Sequence, residues 1–274
     1  PKDENKTIVN QIVFNTLISA SLYCVVSISF SLIYYTTKAF YISQAFVITS
    51  AAYSCFFLIT NFSIPFSFSV TGAVAIATVI GLLSEILIYK NMRKRNAANF
   101  SHLIASIGVY IILQNCISLY FGDDTKTIKT TEVIVGNQFF GAYITNVQIA
   151  TIFISITLFV LVNLFLHFSK IGKSIRAVAS NPALCNIYGI SASKIILIAF
   201  GIGSVLAATA GMLSAMDTNM TPSFGFNLLL YGVVAMIIGG VGSTRGLIAG
   251  SLLVAAAQHF SAYLLDTKWM DAVT

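Results

Sequence analysis

Long uninterrupted apolar runs are the feature that most restricts how this chain can fold. Eight such runs occupy roughly residues 8–34, 41–60, 64–89, 100–121, 147–168, 195–215, 225–241 and 247–265. About 20 apolar residues in a helix cross a bilayer, and only helices or closed barrels satisfy their backbone polar groups there. Because the runs are continuous and do not alternate, we predict an all-α polytopic membrane protein. It has about eight transmembrane helices in a single domain over residues 1–274.

The composition excludes a soluble protein and weighs against a nucleic-acid partner. Only 9% of the residues are charged and 57% are hydrophobic, whereas a soluble domain has about 25% charged residues. The net charge of +6 comes from cations that cluster in two loops. We interpret this clustering as a signal for membrane orientation, and we expect no nucleic acid to bind. The four cysteines are far apart, so we expect neither a disulfide nor a metal site.

The charged loops agree with one orientation in the membrane. The loop 90–99 carries four cations and no acid, and so does the stretch 169–194. The intervening loop 122–146 carries three acids and two lysines. Since loops rich in Lys and Arg stay in the cytoplasm, we predict that 90–99 and 169–194 are cytoplasmic. The second segment, rich in Ser and Thr, is the one most open to being broken or re-entrant.

The predicted spans contain almost no charge. Glu85 is the one acid near a span, and we expect it to pair with Arg93 or Arg95 at the membrane interface. Ion-coupled carriers usually hold an ionisable residue near the membrane midplane, so this pattern weighs against a stand-alone carrier. Neutral polar residues within the spans either hold helices together or line a polar path; they include Ser43, Gln44, Gln114 and Asn115.

Small residues are concentrated in the last third of the chain. Glycines spaced four residues apart let helix backbones approach closely, and we assign helix packing to Gly211, Gly239, Gly240, Gly242, Gly246 and Gly250. The run GGVGSTRG at 239–246 lacks the spacing of a phosphate-binding loop. No catalytic motif is present, so we predict that the chain is not an enzyme and binds no cofactor or metal. Any ATP must be hydrolysed by another subunit.

The stretch Lys170–Lys194, KIGKSIRAVASNPALCNIYGISASK, has a pattern unlike that of the membrane runs. It carries four cations and no acid. Apolar residues recur at spacings of three and four on both sides of Pro182, and Gly189 is a stop signal. This pattern predicts a short amphipathic helix pair on the cytoplasmic face. Such a pair contacts either lipid headgroups or a soluble partner.

Several motifs together resemble one family. They are GKSIRAVASNPALCNIYGIS (172–191), AFGIGSVLAATAGML (199–213) and GGVGSTRGLIAGSL (239–252), with further agreement in 103–122 and in Glu85, Tyr89 and Arg93. The chain resembles the permease subunits of ABC importers for branched-chain amino acids, most closely the H-type subunit. The resemblance covers essentially the whole chain.

The resemblance implies a fold, partners and site residues. The fold is an ABC importer permease bundle in the bacterial cytoplasmic membrane. The implied partners are a second permease, identical or homologous, two ABC ATPase subunits that bind ATP and Mg²⁺, and an extracytoplasmic solute-binding protein. The region of about 169–194 docks on the ATPase through Gly172, Arg176, Ala177, Asn181, Pro182 and Gly189. The translocation path is lined by Ser43, Gln44, Gln114 and Asn115.

Two departures from the family pattern leave questions open. Where the family has a stretch like NFAHGE, this chain has YISQAF at 41–46. The favoured solutes are leucine, isoleucine and valine, while urea, amides, sugars and nucleosides are the alternatives within the family. A stand-alone carrier or channel is the alternative from another class. Family members also carry one more apolar segment after a loop like 265–273, so we expect that the final helix is missing from this chain.

Overall fold

A computed structural model describes residues 2–128, 137–139 and 142–264, with side chains given for 7–128 and 142–264. Helices make up nearly all of the described chain. Their bounds, in order, are α1 Lys2–Thr37, α2 Gln44–Phe62, α3 Phe66–Ser84, a π-helical turn Glu85–Tyr89, α4 Lys90–Lys94, α5 Asn99–Phe121, α6 Asn146–Phe168, α7 Lys170–Ser180, α8 Pro182–Ile187, α9 Ala192–Asp217, α10 Phe224–Gly239 and α11 Thr244–Leu264. Strands β1 (Asn137–Phe139) and β2 (Ala142–Ile144) pair antiparallel between α5 and α6.

The prediction of an all-α polytopic membrane protein is confirmed. Seven helical segments of the described chain are long and apolar enough to cross a bilayer, and α10 is a shorter apolar helix. These eight correspond to the eight predicted segments. At about 1.5 Å per residue, the 16 residues of α10 span about 24 Å, less than the roughly 30 Å of a hydrocarbon core. The expected further segment after 265–273 concerns residues outside the described ranges.

Helix α1 lies at the centre of the bundle. It packs against α6, α9, α10 and α11. Two of its serines bind the backbones of its neighbours: Ser27 Oγ donates to the Gly232 carbonyl at 2.8 Å, and Ser29 Oγ donates to the Gly203 carbonyl at 2.7 Å. Because the glycines have no side chain, the partner helices come close enough for these bonds. One helix therefore holds both α9 and α10 in place.

Both positively charged loops lie at the same end of the bundle. Tyr89 and Met92, at the end of the third membrane segment, share an apolar cluster with Val178 and Cys185 of the α7–α8 region. At the opposite end, Gln11 of α1 binds the backbone of Tyr143 in β2. This arrangement agrees with the alternation of loops on which the predicted orientation depends. We call the end with the cationic loops the inner end and the other the outer end.

The irregular membrane segment is not the one the sequence suggests. Helix α2 runs without interruption over its 19 residues, whereas the third segment contains the π-helical turn Glu85–Tyr89. A π turn accommodates an extra residue within a helix, and such turns are frequent at functional sites. Here Glu85 and Tyr89, four residues apart, are both fully buried. The turn directs both polar side chains into the protein and away from lipid.

The predicted packing glycines fall into two groups. A Cβ on Gly211 would lie 2.8 Å from Ile48 Cγ2, and Gly239, Gly246 and Gly250 lie where the backbones of α10 and α11 touch. Gly240 and Gly242 instead occupy the turn between α10 and α11, with φ of 84° and 83°. These positive φ angles are ones that side-chain-bearing residues rarely adopt, so these two glycines shape the turn.

Candidate functional site

Helices α7 and α8 meet at Asn181, and we call residues 170–187 the elbow. Local capping residues determine where its two helices begin. Ser169 Oγ accepts a hydrogen bond from Gly172 N at 2.8 Å and so caps α7. Asn181 Oδ1 accepts from Leu184 N at 3.0 Å and caps α8, whose first residue is Pro182. Proline is favoured at this position because its missing N–H has no helical partner there. Gly189, with φ of 78°, follows the end of α8. The predicted helix pair is confirmed.

Gly172 and Arg176 fix the elbow to the inner end of α6. A Cβ on Gly172 would lie 2.5 Å from the carbonyl oxygens of Phe165 and Leu166. Arg176 Nη1 donates a hydrogen bond to the Leu166 carbonyl, which favours a cation because it lies at a helix C-terminus. Ala177 is half-buried and packs against the apolar cluster that contains Val178 and Cys185. Through these contacts, the predicted coupling residues Gly172 and Arg176 attach the elbow to α6 and set its position.

The exposed apolar surface of the elbow is formed by residues other than these. Leu184, Ile187 and Tyr188 are 50%, 80% and 78% exposed, and we call them the α8 tip. Ile175, Val178 and Cys185 face the opposite way and are buried. From sequence, Ile187 counts among the apolar residues of the amphipathic pattern, and its orientation is not evident. The signal that could have found the tip is the short length of α8, which cannot bury an apolar residue on every side.

A second cluster, the inner network, lies inside the bundle near the inner end. It consists of Tyr41, Ser43, Glu85, Tyr89 and Arg93. Arg93 binds both carboxylate oxygens of Glu85, and its Nη1 also donates to Tyr41 Oη at 3.3 Å. Ser43 Oγ and Tyr89 Oη share a hydrogen bond of 2.5 Å. The predicted Glu85–Arg93 pair is confirmed, and the carboxylate is fully buried where the sequence suggested an interface.

The inner network is continuous with the elbow. The rings of Tyr41 and Tyr89 meet edge to face at 4.4 Å, and both lie near Phe200 of α9. Tyr41, Tyr89 and Phe200 belong to the same apolar cluster as Val178 of α7 and Cys185 of α8. Close-packed side chains transmit displacements. A movement of the elbow would therefore reach the segment before α2 and the end of α3.

The four residues predicted to line a translocation path lie in different surroundings. Ser43 and Gln44 are buried, and Gln44 Nε2 donates to Ser29 Oγ at 3.2 Å. Gln114 is half-buried on α5 and Asn115 is exposed, with its Nδ2 donating to the Ile111 carbonyl at 2.7 Å. The structure does not bring the two pairs together. Their role in a path stays a prediction.

A cavity of about 460 Å³, the outer cavity, opens near the outer end of α1. Five helices line it with polar side chains: Asn15, Ser19, Tyr23, Gln148, Asp217, Asn227, Tyr231 and His259. The sequence does not predict this site, because each residue alone is an ordinary polar residue and only the fold assembles them. A cavity of this size with convergent polar groups suits a small ligand.

Hydrogen bonds hold the walls of the outer cavity. Ser19 Oγ and His259 Nε2 are 2.8 Å apart, joining α1 to α11. Tyr23 Oη donates to Gln258 Oε1 within the same pair of helices. The ring of Tyr23 packs against that of Tyr231 at 5.2 Å. The walls are therefore fixed before any ligand enters.

Together, the helical membrane bundle and the amphipathic elbow at its cationic end define the transmembrane subunit of a transporter. The family model for the permease component of the branched-chain amino acid transport system matches residues 12–274, and the chain belongs to that family. This confirms the resemblance drawn from the sequence motifs.

Two curated relatives and one solved structure show how far the similarity extends. The chain is 27% identical over 277 residues to the high-affinity branched-chain amino acid transport system permease protein LivH of Salmonella typhimurium, covering 96% of this chain and 89% of that protein. It is 27% identical to the permease protein BraD of Pseudomonas aeruginosa, covering 94% and 88%. The structure of PsaBC from Streptococcus pneumoniae in complex with Fab is similar in fold, with a TM-score of 0.51 at 12% identity, covering 96% and 87%.

Proposed function

We propose that this permease imports leucine, isoleucine and valine across the bacterial cytoplasmic membrane at the expense of ATP. It forms the path with a second permease and receives its solute from an extracytoplasmic binding protein. Two partner ATPase subunits bind ATP and Mg²⁺. Family membership and the named solutes of LivH and BraD support this proposal. Spans without charged residues at mid-depth suit a solute with no net charge.

The observation that carries the coupling step is the α8 tip. Leu184, Ile187 and Tyr188 expose apolar surface at the end of the bundle where the cationic loops lie. Exposed apolar clusters of this kind mark protein-interaction sites. Aromatic side chains such as Tyr188 are enriched at the centres of such interfaces. The tip would enter a groove of the ATPase, and the elbow would pass the motion to α6, α9 and the inner network.

The direct test uses the complete transporter in proteoliposomes. ATP hydrolysis and uptake are measured with binding proteins for leucine, isoleucine, valine, urea, a sugar and a nucleoside in turn. The three branched-chain amino acids are expected to stimulate hydrolysis and to accumulate. Stimulation by another solute alone would replace the proposed substrate, and accumulation without ATP would exclude an ATP-driven importer.

One double variant and one control variant test the α8 tip. Ile187→Ala combined with Tyr188→Ala is expected to lower uptake at least about tenfold, the effect of losing roughly 1.4 kcal/mol of binding energy. Leu119→Ala is the matched control, because Leu119 is 88% exposed and lies near the outer end of α5, away from the elbow. The control should retain uptake. Normal uptake and normal ATPase co-purification in the double variant would remove the tip from the coupling step.

A further inference from the structure

A second cavity, of about 220 Å³, lies beside the elbow at the inner end of the bundle, and we call it the inner cleft. Helix α1 forms its floor, because α1 packs against both α6 and α11. Thr244 Oγ1, at the start of α11, donates a hydrogen bond to Asn163 Oδ1 of α6 at 3.2 Å. Asn163 and His167 are exposed, so the cleft opens at the surface between α6 and α11. Its polar lining residues are Ser31, Tyr35, Asn163, His167, Arg176 and Thr244.

The charge around the inner cleft is positive. Arg176 lines it, and the bond to the Leu166 carbonyl uses one of the five N–H donors of the guanidinium. Lys38 Nζ lies 4.8 Å from the ring centroid of Tyr35, which forms part of the wall. The described side chains that line the cleft include no carboxylate. A guanidinium with further donors binds phosphate oxygens well, because its planar fork matches their geometry.

The depth of the inner cleft corresponds to the headgroups of the inner leaflet. The 23 residues of α6 span about 34 Å, slightly more than the roughly 30 Å of the hydrocarbon core. His167 is next to the last residue of α6, and Asn163 lies about 8 Å further into the membrane. Polar side chains that face hydrocarbon are costly and usually have a polar partner. A headgroup at this depth supplies one.

Two apolar ridges continue from the inner cleft toward the middle of the membrane. On α6, Ile156 and Val160 are 56% and 47% exposed, and on α11, Ile248 and Leu252 are 42% and 39% exposed. These residues lie at helical spacing from the polar lining residues of the same helices, so they share a face with them. A phosphate site with apolar ridges on its membrane side matches the shape of a phospholipid. A free phosphate makes no use of the ridges.

We propose that the inner cleft binds the phosphate of an anionic phospholipid of the inner leaflet, with Arg176 as its counter-ion. The Asn163 amide and the His167 ring donate to further phosphate oxygens, and the acyl chains lie along the two ridges. A lipid in this position contacts α6, α7 and α11 at once and so stabilises the elbow against the bundle. The site is separate from the solute path and does not depend on which solute is imported.

Native mass spectrometry of the complete transporter tests the lipid. The complex is released from nanodiscs that contain equal amounts of phosphatidylglycerol and phosphatidylcholine, and the lipids that stay bound are counted. Phosphatidylglycerol is expected to be retained about tenfold over phosphatidylcholine. Glycerol 3-phosphate, which has the phosphate and no acyl chains, is not expected to displace it at millimolar concentration. Equal retention of the two lipids would overturn the proposal, and displacement by glycerol 3-phosphate would replace the lipid with a free phosphate.

Variants assign the bound lipid to the inner cleft. Arg176→Gln removes the charge and is expected to lower phosphatidylglycerol retention about tenfold. Lys194→Gln is the matched control, because Lys194 is an exposed cation at the start of α9 and outside the cleft lining. The control should retain the lipid. Unchanged lipid retention in Arg176→Gln would overturn the proposal, and if its ATPase subunits were also lost, Arg176 would bind a protein partner instead.

A second variant makes the test independent of the bond between Arg176 and α6. Asn163 is exposed, so Asn163→Leu should fold normally while removing an amide from the mouth of the cleft. Lower phosphatidylglycerol retention is expected. Leu161→Ala is its control, because Leu161 is 57% exposed and two residues away, on another side of α6. Unchanged retention in an assembled Asn163→Leu complex would also overturn the proposal.

Discussion

The inner network and the outer cavity use similar side chains in opposite ways. In the inner network, Glu85 binds Arg93 and Ser43 binds Tyr89, and these partners lie inside the protein. In the outer cavity, the exposed side chain of Asn227 lines open space. A buried polar group without a partner is costly, so internal pairing stabilises one packing arrangement. Polar groups around open space keep hydrogen-bonding capacity for a ligand. The first region is suited to hold one packing arrangement, and the second leaves space that a ligand can enter.

The largest expected effect comes from breaking the ion pair of the inner network. Glu85→Ala leaves the Arg93 guanidinium without its carboxylate, and breaking a buried pair in this way costs about 3 kcal/mol. The thermal midpoint of the purified complex, followed by size-exclusion fluorescence, should fall by several degrees. Asn227→Ala in the outer cavity should leave the midpoint almost unchanged, because Asn227 is exposed.

A double variant checks that the cost comes from the unpaired charge. Glu85→Ala combined with Arg93→Leu removes both charges, and removal of both partners is less harmful than removal of one. The double variant should therefore be more stable than Glu85→Ala alone. If Glu85→Ala has the midpoint of the unmodified complex, the inner network does not hold the bundle together.

Two buried glutamines, one beside each region, test which region affects leucine binding to the purified complex. Gln44 and Gln258 are 3% and 2% exposed, and each has a hydrogen-bonded partner on α1, Ser29 and Tyr23 respectively. Gln258→Leu removes the hydrogen bond that joins Tyr23 to α11 and should weaken leucine binding severalfold. Gln44→Leu should leave binding unchanged, because it lies outside the outer cavity. A greater loss of binding in Gln44→Leu would favour the path that the sequence predicts.

The smallest expected difference is between two serines. Ser43→Ala leaves the buried hydroxyl of Tyr89 without its partner and should cost about 1 kcal/mol of stability. Ser19→Ala removes the partner of His259 beside an open cavity, where water can replace the bond, and should cost less than about 0.5 kcal/mol. Thermal midpoints of the two variants measure the difference. Equal shifts would mean that the two regions differ less than their geometry implies.

The parts predicted from sequence are those governed by local chemistry. The apolar runs predict the membrane helices, and the apolar spacing around Pro182 together with Gly189 predicts the α7–α8 elbow. The lone acid Glu85 beside cations predicts its ion pair. These signals lie within a few residues of the structure that they specify.

The parts that could not be predicted depend on several helices at once. The outer cavity joins residues as distant as Ser19 and His259, and their separation in sequence hides the site. The direction in which Ile187 points depends on how α8 packs on α9. The π turn at Glu85–Tyr89 depends on both side chains finding partners, Arg93 further along the same segment and Ser43 before α2. Hydrophobic periodicity carries no information about any of these.

Helix α10 is too short to cross the hydrocarbon core by itself. Its 16 residues leave about 6 Å of the roughly 30 Å hydrocarbon core unspanned. The turn to α11 follows its inner end, and the loop before its outer end contributes Thr221 to the outer cavity. A stretch shorter than the hydrocarbon core either thins the surrounding bilayer or is completed by the residues that flank it. For α10 the flanking residues on the outer side belong to the wall of the outer cavity.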